Sequence, residues 1–389
     1  MNIIPTEQQK EALIKTKKWW YNKEGLVWEI SGAAGTGKTT IVYMLIEELG
    51  LSHDDVLFMA YVGKATLALA RKGNRAQTIH STIYNLIEEV KRDENGNPII
   101  IQNREVMTKR FIKKDRLPDN IKLIVLDEGA MVSQKIAEDI LSFGIPMIVL
   151  GDTNQLPPIY GESYFLRNPD VVLTEPMRQA ADSPIIQLAT KAIRGDYIKY
   201  GKYGENGFVI PTESLTNEML MKPDIVICGR NITRSKINRH IRENVLHKKH
   251  DQLTIGDKII CRQNNWSISP IDNNIFLING LIGYVEDMSL ESYDHRSIEI
   301  DFRPEFLNNI CFERIKIDYK HLMKPTDNNS IYNGLNKFEY AYAITCHLAQ
   351  GSEYNNVLII NEQLGTHEYH RRWLYTAITR AKKNVIIAM

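Results

Sequence analysis

Short apolar runs, each followed by a polar or glycine-rich turn, form the most regular pattern along this chain. Such runs are typical of parallel strands that are buried on both faces. In the N-terminal half they cover residues 26–30, 56–61, 123–126 and 147–150. Between the first two runs, the amphipathic stretch 39–49 predicts a helix that ends before Gly50. The pattern predicts a strand, turn, helix and strand in succession, and therefore an α/β fold.

A second series of the same kind follows in the C-terminal half. Its apolar runs and helical stretches cover residues 224–228, 234–246, 356–360, 371–381 and 384–389. We therefore expect a second α/β core, separated from the first by the Pro- and Gly-containing stretch 176–207. The two cores share no evident sequence repeat.

Two further segments do not fit the α/β pattern, and we predict that both are insertions. In residues 88–117, a polar turn at 93–98 precedes the apolar run 99–101, which predicts a β-hairpin inserted in the first core. Residues 251–336 carry many short β-type runs separated by turns, which predicts a small β-barrel.

Length and composition narrow the class of protein. A chain of 389 residues exceeds the usual size of one hydrophobic core, so two or three compact units are expected. The net charge of +1 means that any nucleic-acid site must be a local groove. The chain has no apolar run long enough for a membrane span, and its first residues are too polar for a secretory signal, so a cytoplasmic protein with no membrane partner is expected. Widely spaced cysteines favour buried thiols over zinc ligands or disulfides at Cys228, Cys261, Cys311 and Cys346.

A complete phosphate-loop signature, GxxxxGK[ST], lies between the first predicted strand and its helix. Backbone N–H groups of such a loop wrap phosphates, aided by the positive end of the helix dipole. Lys38 would reach the β and γ oxygens of ATP, and the Thr39 hydroxyl would bind Mg²⁺. The residues expected to bind nucleotide here are Gly32, Ala33, Ala34, Gly35, Thr36, Gly37, Lys38, Thr39 and Thr40.

Polar residues that suit ATP hydrolysis follow the next two predicted core strands. Asp127 and Glu128 come directly after the run 123–126, at the strand end where ligands gather in open α/β sheets. We expect Asp127 to hold Mg²⁺ and Glu128 to orient and deprotonate the attacking water. Gln155, after the run 147–150, is placed to sense the γ-phosphate, an element that simple phosphate-loop kinases do not need.

In this order, the motifs resemble superfamily 1 helicases, and within them the 1B branch of RecD- and Dda-like enzymes. The resemblance extends over nearly the whole chain. The segments that carry it are residues 6–9, 64–66, 76–81, 127–131, 151–158, 177–179, 342–353 and 374–382. The sequence departs from the family pattern at Leu348, where a lysine is usual, and at Gly129 and Ala130, where alanine and serine are usual.

The resemblance implies two RecA-like parallel-sheet domains with two insertions. Residues 1–87 and 118–179 would form domain 1A with the phosphate loop, and residues 88–117 a hairpin, or pin, called 1B. Residues 180–250 and 337–389 would form domain 2A, and residues 251–336 an SH3-like β-barrel, 2B.

Roles for further residues follow from the same resemblance. Gln9 would recognise adenine, while Gly351 and Glu353 would lie near the ribose. Arg178 and Arg380 would stabilise charge on the transferring phosphoryl group, and with Lys38, Glu128 and Gln155 they make up the expected catalytic set. The residues expected to grip the nucleic-acid strand are Lys64, Thr78, His80, Thr345 and His347.

The activity implied is that of an ATP-dependent DNA helicase that moves on single-stranded DNA, with 5′ to 3′ polarity by analogy with the branch, and serves replication, recombination or repair. We expect a monomer in bacterial or phage-infected cytoplasm that acts on single-stranded and forked duplex DNA, with a single-strand-binding protein as a natural partner.

Two alternatives remain open. One is an RNA helicase or remodeller, since backbone contacts alone do not distinguish the two sugars. The other is an ATP-gated clamp that holds single strands without unwinding. Such a clamp would need a weakened catalytic glutamate or a missing second-domain arginine, and Glu128 and Arg380 are both present.

Overall fold

The computed structural model describes most of the chain and groups it into two compact units. The described residues are 5–60, 76–90, 92, 96–98, 100–101, 104–105, 107–157, 163–177, 182–249, 251–265, 268–270, 276–289, 297–305, 310–324 and 335–389. The first unit comprises Met1–Thr82, Arg116–Ile241 and Ala343–Met389, and the second comprises Ile83–Asp115 and Arg242–Tyr342.

A parallel sheet of six described strands lies in the N-terminal part of the first unit. Numbered along the whole chain, its strands are β1 (Val27–Gly32), β2 (Val56–Ala60), β3 (Ala76–Thr78), β8 (Leu123–Asp127), β9 (Met147–Gly151) and β10 (Val171–Leu173). Their order in the sheet is β10-β1-β9-β8-β2-β3, and every neighbouring pair is parallel. Every residue of β2 and β9 is buried, as expected for strands covered on both faces.

Helices cover this first sheet. They are α1 (Glu7–Asn22), α2 (Lys38–Glu48), α3 (Ile79–Ile83) and α4 (Gln134–Leu141). The apolar faces of α1 and α2 pack with β1 in one buried cluster that includes Trp19, Ile30 and Leu45. Burial of such side chains stabilises the domain and fixes the direction in which α2 leaves the phosphate loop.

A second sheet in the same unit contains five parallel strands and one antiparallel edge strand. Its strands are β11 (Gly201–Tyr203), β12 (Gly207–Ile210), β13 (Ile225–Cys228), β19 (Ala343–Thr345), β20 (Tyr354–Ile360) and β21 (Ala381–Ala388), in the order β11-β12-β21-β20-β13-β19. Only the pair β11 and β12 is antiparallel among these described strands. Its helices are α5 (Pro184–Arg194), α6 (Asn217–Met221), α7 (Asn231–His240), α9 (Cys346–Ala349) and α10 (His367–Ile378).

The second unit is built from antiparallel strands. Strands β4 (Tyr84–Val90) and β7 (Met107–Lys113) form a long hairpin, and β5 (Ile100–Ile101) pairs with β6 (Arg104–Glu105). A five-stranded sheet consists of β14 (Lys258–Cys261), β15 (Ile282–Ser289), β16 (Ser297–Pro304), β17 (Phe312–Asp318) and β18 (Phe338–Tyr340), with α8 (Tyr319–Met323) after β17.

The two edges of this five-stranded sheet are joined through Asn336. The strand order is β17-β16-β15-β14-β18, so β17 and β18 are its outermost strands. Asn336, just before β18, donates its backbone N–H to the carbonyl of Lys316 at 2.9 Å and accepts from the N–H of Asp318 at 2.9 Å. These two bonds connect the segment leading into β18 with β17, so the sheet curls back on itself.

A buried carboxylate, Asp257, ties together the two ends of the segment Arg242–Tyr342. Arg242 donates from Nη2 to Asp257 Oδ2 at 3.0 Å, and the hydroxyl of Tyr342 donates to Oδ1 at 3.0 Å. Lys248 and Thr254 add further hydrogen bonds. Burial acts to raise the pKa of Asp257, but the hydrogen bonds and charge of Arg242 outweigh it and hold that pKa below its usual value. The carboxylate is therefore a stable ion that fastens the first and last residues of the segment to the same point.

Most elements predicted from the sequence are present with shifted ends, and three expectations were wrong. The C-terminal helix ends at Ile378 instead of residue 381, because Ala381 pairs with Tyr354 as the start of β21. The stretch 176–207 is not merely a separator, since it contains α5. Cys311 is half-buried, whereas the other three cysteines are buried as expected.

Candidate active site

The carboxyl ends of the parallel strands of the first sheet lie along one edge. Gly32, Asp127, Gly151 and Leu173 end the neighbouring strands β1, β8, β9 and β10. The loops after these strands therefore converge, as in other open α/β sheets that bind ligands at this edge. The sequence-predicted phosphate loop, acidic pair and glutamine all follow these strand ends.

Two glycines allow the phosphate loop to turn from β1 into α2. Gly35 and Gly37 have φ angles of 78° and 76°, in the left-handed region that suits glycine. Gly37 also caps the N-terminus of α2, and a Cβ atom there would lie 2.6 Å from the amide nitrogen of Gln9. Any larger residue at this position would displace Gln9 or distort the loop.

The Lys38 ammonium lies inside the phosphate loop. Its Nζ atom donates to the carbonyl oxygen of Gly32 and, at 3.3 Å, to that of Ala33. The hydroxyl of Thr36 donates to the same Ala33 oxygen at 2.8 Å. The cation thus sits beside the loop amides on which phosphates are expected to bind, while Thr39 and Thr40 are half-buried on the first turn of α2.

The N-terminus of α1 is fastened to the same loop. Gln9 forms a capping box with Thr6, in which its Oε1 accepts from the Thr6 N–H at 2.9 Å. Its Nε2 donates to the carbonyl of Thr36 at 2.8 Å, and the residue is buried. Both ends of the amide therefore bind protein atoms, and the adenine contact implied for Gln9 stays a prediction.

The neighbouring Gln8 binds a different segment. Its Oε1 atom accepts from the backbone N–H groups of Thr174 and Glu175, at 2.8 and 3.0 Å. These residues precede Arg178, which lies outside the described residues. Gln8 thus orients the segment leading to a predicted catalytic arginine.

Glu128 lies in an electrostatic environment suited to a general base. It follows β8 with a left-handed backbone, φ 54°, and its N–H donates to Asp127 Oδ1 at 2.9 Å. Burial, followed by the charge of Asp127, raises the pKa of Glu128 to about 7, against the opposing effects of Arg380 and Lys38. The carboxyl group is therefore near Asp127 and two of the predicted catalytic cations, Lys38 and Arg380, with a proton affinity matched to neutral pH.

Gly129 has a packing reason to differ from the alanine usual in the family. A Cβ atom at this position would come within 2.2 Å of the Val149 side chain on β9. Real carbon atoms do not approach so closely. The turn after Glu128 therefore lies against β9 closely enough that only glycine fits without rearrangement.

A hydrogen-bonded chain runs from the phosphate loop to the second sheet and back to the first. The N–H of Ala34 donates to the Tyr375 hydroxyl at 2.8 Å, and that hydroxyl donates to Asp152 Oδ2 at 2.6 Å. Asp152 is buried, and its other oxygen accepts from the N–H of Asn154 at 2.9 Å. Gln155, in the same turn, is half-buried and donates its backbone N–H to the carbonyl of Asp152 at 3.1 Å.

Helix α10 contacts this turn at several points. Arg372 donates to the carbonyl of Thr153 at 3.2 Å, and the Leu156 N–H donates to the hydroxyl of Thr376 at 2.9 Å. Gln350, just after α9, donates to the carbonyl of Leu156 at 2.9 Å. The turn that carries Gln155 is thereby held by side chains from the second sheet.

Arg380 is oriented by groups of its own domain. Its guanidinium donates to the carbonyls of Thr376 and Ser352, at 3.1 and 3.2 Å, and to the hydroxyl of Thr379 at 3.1 Å. The residue is buried, yet its charge lowers the pKa of Glu128 on the first sheet. An arginine held this firmly is well prepared to meet a developing negative charge.

The two residues predicted near the ribose occupy an open turn. Gly351 has φ 68°, a conformation that suits glycine. Glu353 Oε2 pairs with Lys382 Nζ at 2.9 Å, and both side chains are more than half exposed. Such a surface pair is weak enough to rearrange around a ligand.

The predicted nucleic-acid residues occupy matching places in the two sheets. Thr78 ends β3 and Thr345 ends β19, each at a sheet edge and each followed by a short helix. His80 and His347 are the second residues of those helices, and burial lowers the pKa of both imidazoles. Both histidines are therefore neutral at pH 7 and can donate and accept hydrogen bonds without adding charge. Lys64 lies outside the described residues.

Sequence reasoning missed Asp152, Gln350 and Tyr375 as site residues. All three lie inside segments that carried the family resemblance, yet each was passed over in favour of a more familiar neighbour. The carboxylate next to Gly151 was a signal that could have identified Asp152, because it occupies a strand end. The contacts of Tyr375 with two loops far away in sequence left no local signal.

The described part of the chain lacks two other kinds of feature. Among the described residues, no group of three or more histidine, cysteine, aspartate or glutamate side chains could hold a metal ion. In the same part of the chain, no helix is long and apolar enough to cross a membrane.

Two family models match this chain. One, described as an AAA domain, matches residues 6–214, and the other, a UvrD-like helicase C-terminal domain, matches residues 340–388. Together they cover the phosphate loop, the turn after β9 and the C-terminal strands with Arg380. The first model alone covers more than half of the chain.

Several similar proteins are named as DNA helicases. The ATP-dependent RecD2 DNA helicase of Deinococcus radiodurans is 24% identical over 91% of this chain and 45% of its own length. The ATP-dependent DNA helicase dda of Enterobacteria phage T4 is 28% identical over 69% of this chain and 63% of its own length. This chain thus spans about half to two thirds of these relatives.

Solved structures share the fold. The crystal structure of Pif1 helicase from Bacteroides in complex with ADP-AlF3 and single-stranded DNA has a TM-score of 0.54, with 17% identity, 99% coverage of this chain and 92% of that one. The pair of parallel sheets is therefore of the RecA-like kind found in Pif1 helicases. The second family model and the RecD2 and dda relatives support the resemblance of the motifs to the RecD- and Dda-like branch of superfamily 1B. Because the first model matches more than half of it, the chain belongs to the AAA domain family.

Proposed function

We propose that this protein is an ATP-dependent DNA helicase that hydrolyses ATP and moves along single-stranded DNA. The observation that carries the proposal is the surroundings of Glu128. Lys38 from the phosphate loop and Arg380 from the second sheet both lower the pKa of its carboxyl group. The groups needed for phosphoryl transfer to water thus come together from two separate sheets.

Each group has a distinct part in hydrolysis. Lys38 neutralises the β and γ oxygens of ATP, and Glu128 orients the attacking water and accepts its proton. Arg380 stabilises charge on the γ-phosphoryl group, a contribution worth about 10³ to 10⁵ in rate in related enzymes. Since Arg380 and Glu128 belong to different sheets, hydrolysis depends on how closely the two sheets approach.

A magnesium ion fits the oxygen donors of Thr39 and Asp127. Mg²⁺ prefers hard oxygen ligands and often takes only one or two from the protein, with waters and phosphate oxygens completing the shell. Bound Mg²⁺ would supply positive charge at the β and γ oxygens.

The single strand is proposed to cross the ends of the two edge strands. Thr78 and His80 would contact it from the first sheet, and Thr345 and His347 from the second, with Lys64 adding a charge. Hydroxyl and neutral imidazole groups position a phosphate backbone without reading its sequence. Alternate gripping by the two sheets, as ATP binds and is hydrolysed, would move the protein along the strand.

The domain division and the unwinding elements are also proposals. The hairpin of β4 and β7 would be the pin of domain 1B that separates strands at a fork. The curled sheet of β14 to β18 would be the SH3-like barrel of domain 2B. Residues 1–87 with 118–179, and 180–250 with 337–389, would be domains 1A and 2A. The 5′ to 3′ polarity rests on the resemblance to the 1B branch.

The names of the similar proteins support DNA as the substrate. The relatives from Deinococcus radiodurans and phage T4 carry the name DNA helicase, and a Pif1 structure with a TM-score of 0.56 concerns unwinding at forked duplex DNA. We accordingly propose single-stranded and forked DNA as substrates, action as a monomer in replication, recombination or repair, and a single-strand-binding protein as a partner.

The test is the steady-state ATPase rate with single-stranded DNA, single-stranded RNA and duplex DNA at one stated low salt concentration. Single-stranded DNA should stimulate ATP hydrolysis strongly, and unwinding of 5′-tailed forks should exceed that of 3′-tailed forks. Equal stimulation by RNA would favour a remodeller of RNA. ATPase stimulation without strand separation would favour a clamp, and the absence of stimulation by any nucleic acid would refute the proposal.

A further inference from the structure

The Tyr375 hydroxyl bonds to two different loops of the first sheet at once. It accepts from the N–H of Ala34 in the phosphate loop at 2.8 Å and donates to the carboxylate of Asp152 at 2.6 Å. The side chain is buried, so water does not compete for either bond. A phenol with one donor and one acceptor bond of good length is fixed in both position and orientation.

The charge state of the Tyr375 side chain suits these two hydrogen bonds. Burial, followed by the nearby Asp152 carboxylate, raises the pKa of the phenol well above its usual value. The group is therefore an O–H donor to Asp152 at neutral pH. Its oxygen keeps a lone pair for the Ala34 amide.

Tyr375 and Arg380 belong to one rigid stretch of chain. Tyr375 lies on α10, which ends at Ile378, and Arg380 follows in the tight turn before β21. The Arg380 guanidinium donates back to the carbonyl of Thr376, the residue next to Tyr375. A shift of the hydroxyl relative to the phosphate loop would therefore shift the guanidinium as well.

We propose that Tyr375 is a positioning residue that holds Arg380 in register with the phosphate loop through the bonds of its hydroxyl to Ala34 and Asp152. This inference rests on the proposed ATP hydrolysis and adds to it the contact that sets the distance between the two sheets at the γ-phosphate. Tyr375 itself does not touch the reacting atoms. It acts through Arg380.

The matched variants are Tyr375→Phe and Tyr203→Phe. Each removes only a hydroxyl. The Tyr203 hydroxyl also bridges two backbone groups, the N–H and carbonyl of Lys199, but it lies in the edge strand β11. Tyr203→Phe should leave ATP hydrolysis at the wild-type rate, which controls for the general effect of losing a buried or half-buried hydroxyl.

For Tyr375→Phe, the DNA-stimulated kcat should fall about tenfold to a hundredfold, because small errors in the placement of a catalytic group are costly. The KM for ATP and the Kd of a fluorescent ADP analogue should change less than about threefold, since Arg380 serves the transition state more than the ground state. A rise in KM with unchanged kcat would instead assign the hydroxyl to nucleotide binding and overturn the proposal.

A double-mutant cycle tests whether the hydroxyl acts through Arg380. In an Arg380→Ala background, adding Tyr375→Phe should cost no more than about a further twofold in kcat, because the group that it positions is already gone. An equal fold loss in both backgrounds would show that the two residues act independently, which contradicts the proposal.

Amide hydrogen exchange supplies a readout that does not depend on turnover. Exchange in a peptide that covers residues 32–38 should become faster in Tyr375→Phe and stay unchanged in Tyr203→Phe, since Ala34 loses its acceptor. Unchanged exchange would refute the proposed role of the Tyr375 hydroxyl even if activity fell. If the wild type hydrolysed no ATP with any nucleic acid, the proposed function would fail, whereas faster exchange would still establish the contact with the phosphate loop.

Discussion

The two parallel sheets of the first unit share one strand order but differ in the loops that their strands lead into. In the first sheet, five strands lie in the order β1-β9-β8-β2-β3, and in the second the order is β12-β21-β20-β13-β19. Numbered by their order along the chain among these five strands, both sheets read first, fifth, fourth, second, third. Each of these five strands therefore has a counterpart in the other sheet, and the ends of the counterparts can be compared directly.

The phosphate loop has no counterpart in the second sheet. Strand β1 leads into the glycine-rich loop and the start of α2 at Lys38, whereas β12 leads into Pro211 and a single 3₁₀ turn, Thr212–Ser214. A proline removes a backbone donor, and this turn contains no glycine that could open its amides toward a phosphate. We therefore expect the second sheet to supply Arg380 to the proposed nucleotide site, but not to provide a phosphate loop of its own.

The fourth of the five strands is followed by a carboxylate in each sheet, after β8 in the first and after β20 in the second. The two carboxylates have opposite environments. Glu128 follows β8, where burial and Asp127 raise its pKa to about 7. Glu362 follows β20 closely and accepts from the Gly229 N–H at 2.6 Å and the Thr233 hydroxyl at 2.6 Å. Burial acts to raise its pKa, but these bonds and the charge of Arg230 outweigh it and lower the pKa. One place in the fold can thus hold a poised base or a fixed structural anion, according to its partners.

The largest expected effect separates these two carboxylates. Glu128→Gln should lower the DNA-stimulated kcat at least about a thousandfold, because Glu128 is the proposed acceptor of the proton from the attacking water. The amide cannot take up that proton but keeps the size of the side chain. Steady-state ATPase measurements test the loss, and binding of a fluorescent ADP analogue checks that the nucleotide site remains.

Glu362→Gln is the matched control for that prediction. It should leave the kcat for ATP within about twofold of wild type, since it changes a structural anion of the second sheet. A comparable loss of kcat in both variants would show that the environments of the two carboxylates do not separate their roles.

The insertions offer a second contrast. In the sequence, the hairpin of β4 and β7 follows β3 and precedes β8 of the first sheet. The chain between the counterpart strands β19 and β20 contains only α9. Val90 and Met107 are directly paired, so residues 91–106 can be replaced by an Asn-Gly turn of about two residues without changing the register. If the hairpin is the pin, unwinding of forked DNA should fall at least about tenfold, and DNA-stimulated ATPase should change less than about twofold. Fork unwinding at the wild-type rate would refute that role.

A smaller effect tests the likeness of the two edge strands. Thr78→Ala and Thr345→Ala should each weaken binding of single-stranded DNA about threefold to tenfold. Each change removes one uncharged hydroxyl that is proposed to contact the DNA backbone. The salt dependence of binding should keep its slope in both variants, as no cation is lost. Fluorescence anisotropy with labelled single strands measures both. A loss confined to one threonine would show that the two edges are not equivalent.

The smallest effect concerns stability and its dependence on pH. Glu362→Gln should lower the free energy of unfolding by about 1 to 2 kcal/mol at pH 7, as hydrogen bonds to a charged acceptor are lost. Since the folded-state pKa of Glu362 is lowered, its contribution is present above the unfolded pKa, about 4.3, and is lost as the pH falls through the folded value. Denaturant titrations between about pH 3 and 7 should show the two proteins converging toward acid pH. A constant difference across that range would contradict the electrostatic account.

Much of the fold and site could be predicted because the deciding signals are local. The phosphate-loop signature consists of eight consecutive residues, and the buried strands are continuous apolar runs. The short edge strands β3 and β19 escaped prediction, since three residues give no periodicity. Their common pattern, Ala-x-Thr-x-His at residues 76–80 and 343–347, is visible in the sequence, but it gains meaning only when the sheets show that both lie at the same place.

Other features depend on contacts between distant parts of the chain. The early end of α10 follows from the pairing of Ala381 with Tyr354, which overrides a sequence that favours a helix. The bond from Ala34 to Tyr375 joins residues 341 positions apart. The pKa of Glu128 likewise depends on burial and on Lys38 and Arg380, which lie far from it in sequence. No local pattern encodes these three features.

The hydrogen bonds to Asp257 also explain how the second sheet accommodates a long insertion between β13 and β19. Arg242 and Tyr342 both bond to this carboxylate, so the segment between them begins and ends at nearly the same point. Strands β13 and β19, which flank the segment in sequence, still pair side by side in the second sheet. A segment with adjacent ends adds little strain to its host and behaves as a cassette. Evolution could lengthen, exchange or lose such a cassette while β13 and β19 kept their pairing.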